Sequence, residues 1–141
     1  MFEKQQYEHR LAFWAEFRNS LETATDPIQD VIDLYRQPPM VSIHVDAYNR
    51  ELWPDPWELV HNNQYCDFSR VLGMCYSLQL TDRFNKAVFE IHICTDGSLS
   101  TLYLLKIDDN VIGWDEKTYV KDAELPSNYA SQTVYSMPPL L

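Results

Sequence analysis

Apolar residues recur at helical spacing through the first part of the chain. Between residues 3 and 21, Tyr7, Leu11, Trp14 and Leu21, with Phe13 and Phe17 beside them, form a wide stripe among Glu3, Lys4, Glu8, Arg10, Glu16 and Arg18. That period predicts an amphipathic helix whose face must be covered. A second helix is predicted after Asp26, a side-chain cap, with Pro27 in the first turn and Ile28, Val31, Ile32 and Tyr35 on one side; Pro38-Pro39 stops it. The period changes to two in MVSIHVDAY, where Val41, Ile43 and Val45 alternate with Ser42, His44 and Asp46 as in a short half-buried strand or extended segment. Pro54 and Pro56 then stiffen a loop that carries Trp53 and Trp57, and a short helical turn from Trp57 to His61 follows Asp55 as cap.

From Asn63 the spacing of Phe68, Val71, Leu72 and Cys75 predicts another helix. Gly73 either ends it or marks a close approach. YSLQL alternates like a strand, but the unbroken apolar spacing from Phe68 favours a helix to about Leu78. Two β-rich runs in KAVFEIHICTDGSLSTLYLLKI meet at Asp96-Gly97, which suits a two-residue hairpin turn, and a second turn at Asp109-Asn110 leads into VIGW. In that register Thr95 faces Ser98 and Thr101 faces His92. One face of the meander then carries Phe89, Ile91 and Ile93 with Leu102 and Leu104, and the other Val88, Glu90, His92 and Cys94 with Tyr103 and Leu105. Both faces are partly apolar, so both should be covered. After Tyr119 the periodicity fades, which predicts an extended arm.

The expected fold is therefore α+β: one domain over residues 1–141, with a helical N-terminal region (1–40), a central helix packed on a three-stranded antiparallel meander (about 86–115) and an extended C-terminal arm (120–141). The length suits a single core, and 45% hydrophobic with 13% aromatic residues is ample packing material. A formal charge of −10, from 21 acidic and 11 basic residues, disfavours direct contact with nucleic-acid phosphates or anionic lipid. The polar start MFEKQQYEHR lacks a secretory pattern and no run is long enough to span a membrane, so a cytosolic site of synthesis is expected. Three cysteines without framework spacing fit a reducing compartment.

Cys66 lies near the start of the central helix, where backbone N–H groups favour a thiolate, and Arg70 adds positive charge one turn on. With His92 on the first strand, a helix-borne cysteine followed by a strand-borne histidine resembles the layout of transglutaminase-like and papain-like cysteine enzymes over residues 60 to 115. Such enzymes orient the imidazole with an Asp or Asn on the neighbouring strand. In the expected register Asp108 lies about 24 Å from the position opposite His92, Asp115 faces Leu104, and Glu90 shares the face of His92 two residues away. Cys66 and Cys75 stand about 13 Å apart along a helix, too far for a shared tetrahedral metal site, and His44 and His61 are isolated. Only Gly73, Gly97 and Gly113 occur, so a glycine-rich phosphate loop is absent and no cofactor is expected. Candidate partner contacts are Trp14 on the first helix, Trp53 and Trp57 in the loop, and Tyr135, Met137 and Leu140 in the tail.

The wording of WPDPWELV, YCDFSRVLGMCYSLQLTDRF and FEIHI resembles a family of small uncharacterised proteins of contractile-tailed phages, of the type that infects marine cyanobacteria, over about residues 26 to 138. The resemblance implies a phage product, made in the host cytoplasm and retained in the virion. Three functions are thereby in view. The first is a non-enzymatic virion structural or assembly component working through protein contacts, as a monomer or an oligomer. The second is a cysteine-dependent hydrolase or acyltransferase using Cys66 and His92. The third is a modulator directed at a host protein.

Overall fold

The computed structural model describes residues 1–42, 45–98 and 100–141. Ile43 and His44, read above as part of a short extended run, lie outside the described residues. Four helices, α1 (Tyr7–Leu21), α2 (Pro27–Tyr35), α3 (Pro56–Asn62) and α4 (Asp67–Gln79), precede five strands, β1 (Phe89–Thr95), β2 (Thr101–Ile107), β3 (Asn110–Ile112), β4 (Val120–Lys121) and β5 (Ala130–Met137). The fold is α+β.

Local chemistry accounts for the helix boundaries. Asp26 caps α2 by accepting from the Gln29 N–H at 3.2 Å, with Pro27 at the first position. Asp55 and Glu58 form a reciprocal capping box at α3, which ends on Asn63 in the left-handed region at φ 51°. Helix α1 departs from its expected polar face at one residue. Arg10 is buried, and its guanidinium donates to the carbonyls of Lys4, Gln5, Val60 and His61 at 2.7–3.0 Å, so its charge ties the N-terminal turn and α3 to α1.

Helix α4 runs straight through Gly73, which marks a close approach. The Tyr35 ring of α2 lies so near that an added Cβ would meet its Cε1 at 2.3 Å. Ser77, one turn on, accepts from Trp14 Nε1 at 2.9 Å, shares a hydrogen bond with the Tyr35 hydroxyl at 3.2 Å and donates to the Gly73 carbonyl. One buried hydroxyl thus joins α1, α2 and α4, and burial pushes the Tyr35 phenol up to about 12.

The sheet has the order β4-β3-β2-β1-β5 and its paired strands are antiparallel, so it contains five strands where the sequence suggested three. The difference comes from the tail: Val120–Lys121 adds to β3, and Ala130–Met137 runs along the free side of β1, making β1 an inner strand. The hairpin register also differs. Thr95 pairs with Thr101 and His92 with Leu104, because the chain turns through Asp96–Ser100. There the Asp96 carboxylate accepts from the Ser98 and Ser100 N–H groups and the Ser98 hydroxyl, at 2.7–3.0 Å. The second turn sits at Asp108-Asp109, with Asp108 at φ 51° and Ile107 facing Asn110.

The pairing has moved by three positions, and an odd shift changes which residues share a face. Phe89, Ile91 and Ile93 lie with Ile107, Leu105 and Tyr103 toward the helices, where the main core sits. Cys94, Leu104 and Val111 form a smaller core on the other face, covered by Trp114, Val120, Leu125 and Tyr129. Both faces are covered, but Leu104 and Leu105 occupy the opposite sides from those expected.

Candidate functional site

Cys66 is the N-cap of α4, one position before the helix. Its sulfur accepts from the Ser69 N–H at 3.5 Å and lies 3.3 Å from the Ser69 hydroxyl, while Arg70 reaches Asp67 at 3.7 Å. The residue is buried in the main core on the helix side of the sheet. His92 belongs to the other face, across from Leu104 and Val134. The structure therefore does not bring Cys66 and His92 together: strand β1 lies between them. Cys75, expected inside α4, is fully buried, donates to Gln79 Oε1 at 3.4 Å, and burial pushes its thiol up.

The imidazole has other company. Its Nε2 lies 3.2 Å from Glu90 Oε1 and its Nδ1 3.0 Å from Ser131 Oγ, which is itself 3.6 Å from Cys94 Sγ. A ring protonated at Nε2 donates to the carboxylate and accepts from the hydroxyl, satisfying all three groups. Glu90, two residues away on the same strand, thus supplies the acid that the neighbouring strand does not. Ser131 arrives because the β1–β5 register shifts between Ile93 and Cys94, leaving Gln132 as the extra residue of a bulge. Sequence reasoning missed Ser131, since it read the tail as an extended arm unpaired with the sheet; the β-branched and aromatic residues of TVY were the available signal.

The partner-contact candidates fall into two groups. Trp14, 1% exposed, is core; its ring meets Trp57 edge-on at 5.5 Å, and the Arg18 guanidinium lies 4.4 Å over it. Trp57 itself is 45% exposed. Elsewhere Trp53 packs between Phe68 at 4.9 Å and Tyr135 at 4.7 Å, with Arg50 over both the Trp53 and Tyr135 rings. Arg50 also donates to the Ser136 carbonyl at 2.9 Å. A cavity of about 230 Å³ opens here, between the proline-stiffened loop and the last strand, lined by Trp53, Tyr76, Gln79, Met137, Pro138 and Leu140 among others. Gln79 Nε2 donates to the Pro138 carbonyl at 3.0 Å and holds the final turn of chain against α4. So Trp53, distant in sequence, meets Tyr135, Met137 and Leu140 of the tail along one seam. Leu52, 68% exposed, and Leu140, 40% exposed, add apolar surface near it.

Among the described residues no group of three or more His, Cys, Asp or Glu is placed to hold a metal ion, and no helix is long and apolar enough to cross a membrane. Comparison with protein-family models, curated proteins and solved structures finds no match for the chain.

Proposed function

We propose that this protein works without catalysing a reaction, by binding other proteins, as a structural or assembly component of a phage particle. The observation that supports binding is the seam of Trp53, Tyr135, Met137 and Leu140 with Arg50 across the rings: aromatic, methionine and arginine side chains, half-buried, at the mouth of a cavity. The phage setting rests on the resemblance of WPDPWELV, YCDFSRVLGMCYSLQLTDRF and FEIHI. Quantitative mass spectrometry of purified particles and assembly intermediates, combined with cross-linking, tests the reading. A fixed copy number with cross-links from Arg50 or its neighbours to another particle protein supports it. Absence from both particles and intermediates overturns it and favours a host-directed role.

The chain Ser131, His92, Glu90 favours one second reading, because hydroxyl, imidazole and carboxylate in that order form the proton relay of an acyl-transfer nucleophile. A fluorophosphonate probe decides it. Covalent labelling of Ser131 that disappears in His92→Gln would displace the non-enzymatic proposal, and an unlabelled protein would leave the group as a clasp between β1 and β5.

A further inference from the structure

Strand β5 is an edge of the sheet, interrupted by the bulge at Gln132 and touched by Arg50 at Ser136 but bearing no proline or charge of its own. It is eight residues long, ASQTVYSM, with no proline and no charged side chain, whereas natural edges carry lysine, proline or a covering segment. The neutrality extends from Leu125 to Leu141, in a chain whose other residues carry the whole formal charge of −10. The outward side of β5 can be identified from one bond. In an antiparallel strand each residue directs its N–H and C=O to the same side, alternately toward either neighbour. The Asp108–Val88 and Asp96–Ser100 backbone bonds turn the even residues of β1 toward β2, so Ser136, opposite Glu90, points away from β1, where its carbonyl accepts from the Arg50 side chain. Val134, two residues earlier and past the bulge at Gln132, therefore points both its N–H and its C=O outward. Among the described residues no strand pairs with that side.

We propose that β5 pairs antiparallel with β5 of a second copy, across a two-fold axis at Val134, so that two five-stranded sheets join into one. Two strongly acidic chains repel each other less where their surfaces are neutral, and β5 with its flanks is such a stretch. An antiparallel edge is self-complementary, so each Val134 exchanges both hydrogen bonds with its counterpart. Its side chain, 47% exposed, then stands opposite its own copy at about 5.5 Å between Cα atoms, an apolar cross-strand pair. Ser136 faces Gln132 of the second copy; a carbonyl oxygen has two lone pairs, so Ser136 can keep Arg50 and accept a ladder bond as well. This pairing concerns another copy of the chain and adjoins the Trp53 seam at Arg50, which reaches the Ser136 carbonyl.

The experiment is sedimentation equilibrium over a wide concentration range for the parent, Val134→Pro and Val134→Lys. Proline removes only the outward N–H and so spares the bonds to β1; lysine sets two like charges opposite each other. The parent should sediment as a dimer, and each variant should weaken the dimer about tenfold or more while its circular dichroism spectrum stays native. If Val134→Pro fails to fold, Val134→Lys alone decides. A monomeric parent, or a dimer undiminished in a folded variant, overturns the proposal.

Discussion

Replacing Gly73 by alanine probes the packing of α2 on α4. An added Cβ would lie 2.3 Å from Tyr35 Cε1, 2.9 Å from Cζ and 3.0 Å from Cδ1, against a comfortable carbon–carbon separation of about 3.5–4.0 Å. The ring has little freedom to turn aside, being 1% exposed with its hydroxyl bonded to Ser77. If the helices separate to admit the methyl group, overpacking costs about 1–3 kcal/mol. If Tyr35 leaves Ser77 instead, a stranded buried hydroxyl costs about 1–3 kcal/mol. Alanine's better helix propensity offsets about 1 kcal/mol. With both penalties partly engaged the net loss is about 2–3 kcal/mol, equivalent to a Tm lower by about 5–10 °C for a chain of this size. Urea denaturation followed by far-UV circular dichroism measures it, in a cycle with Tyr35→Leu, whose side chain leaves room for the methyl group. There the same alanine should be neutral or stabilising by up to about 1 kcal/mol. A Gly73→Ala protein as stable as its parent, or a penalty that persists in the Tyr35→Leu background, would refute the packing argument.

Three further outcomes are expected. Asp55→Ala removes one half of the α3 capping box and should cost about 1 kcal/mol in urea denaturation; an unchanged midpoint would show that Pro56 alone sets the helix start. Tyr35 keeps its proton up to about 12 when folded, against 10.0 ordinarily. Its contribution is therefore complete below about pH 10 and falls by about 1.4 kcal/mol per pH unit between about 10 and 12; urea midpoints that stay flat there, or fall equally steeply in Tyr35→Phe, contradict this assignment. Trp53→Ala takes away the ring between Phe68 and Tyr135, so limited proteolysis should cut the segment from Ala130 onward faster than in the parent, and equal protection would show that the β1 ladder alone holds it.

The helices were legible because their signals are local. Asp26-Pro27, Asp55-Pro56 and the stripe from Phe68 to Leu78 each specify a boundary or a face within one or two turns. The sheet was less so, since register depends on turn geometry that DGSLS leaves open. A two-residue type I′ turn needs positive φ at both central positions. Gly97 does not adopt it: Asp96 gathers the Ser98 and Ser100 N–H groups into a longer loop. That displacement moved Leu104 beside His92 and Leu105 to the helix side. The site was harder still. Glu90 and His92 are close in sequence, but Ser131 reaches them only through a bulge in a strand paired across the sheet. The apolar seam likewise depends on β5 returning to Trp53, a long-range contact that no local pattern encodes.

β1 is completed by two neighbours that arrive on different schedules. β2 follows after a short loop, so the hairpin can close quickly, whereas β5 must return across the whole segment between Thr95 and Ala130. Until it does, the strand that carries Ile91 and Ile93, both fully buried at the end, has one bare flank. Refolding yield should therefore fall with concentration in that interval, through association of intermediates that have made the hairpin and still await the last strand.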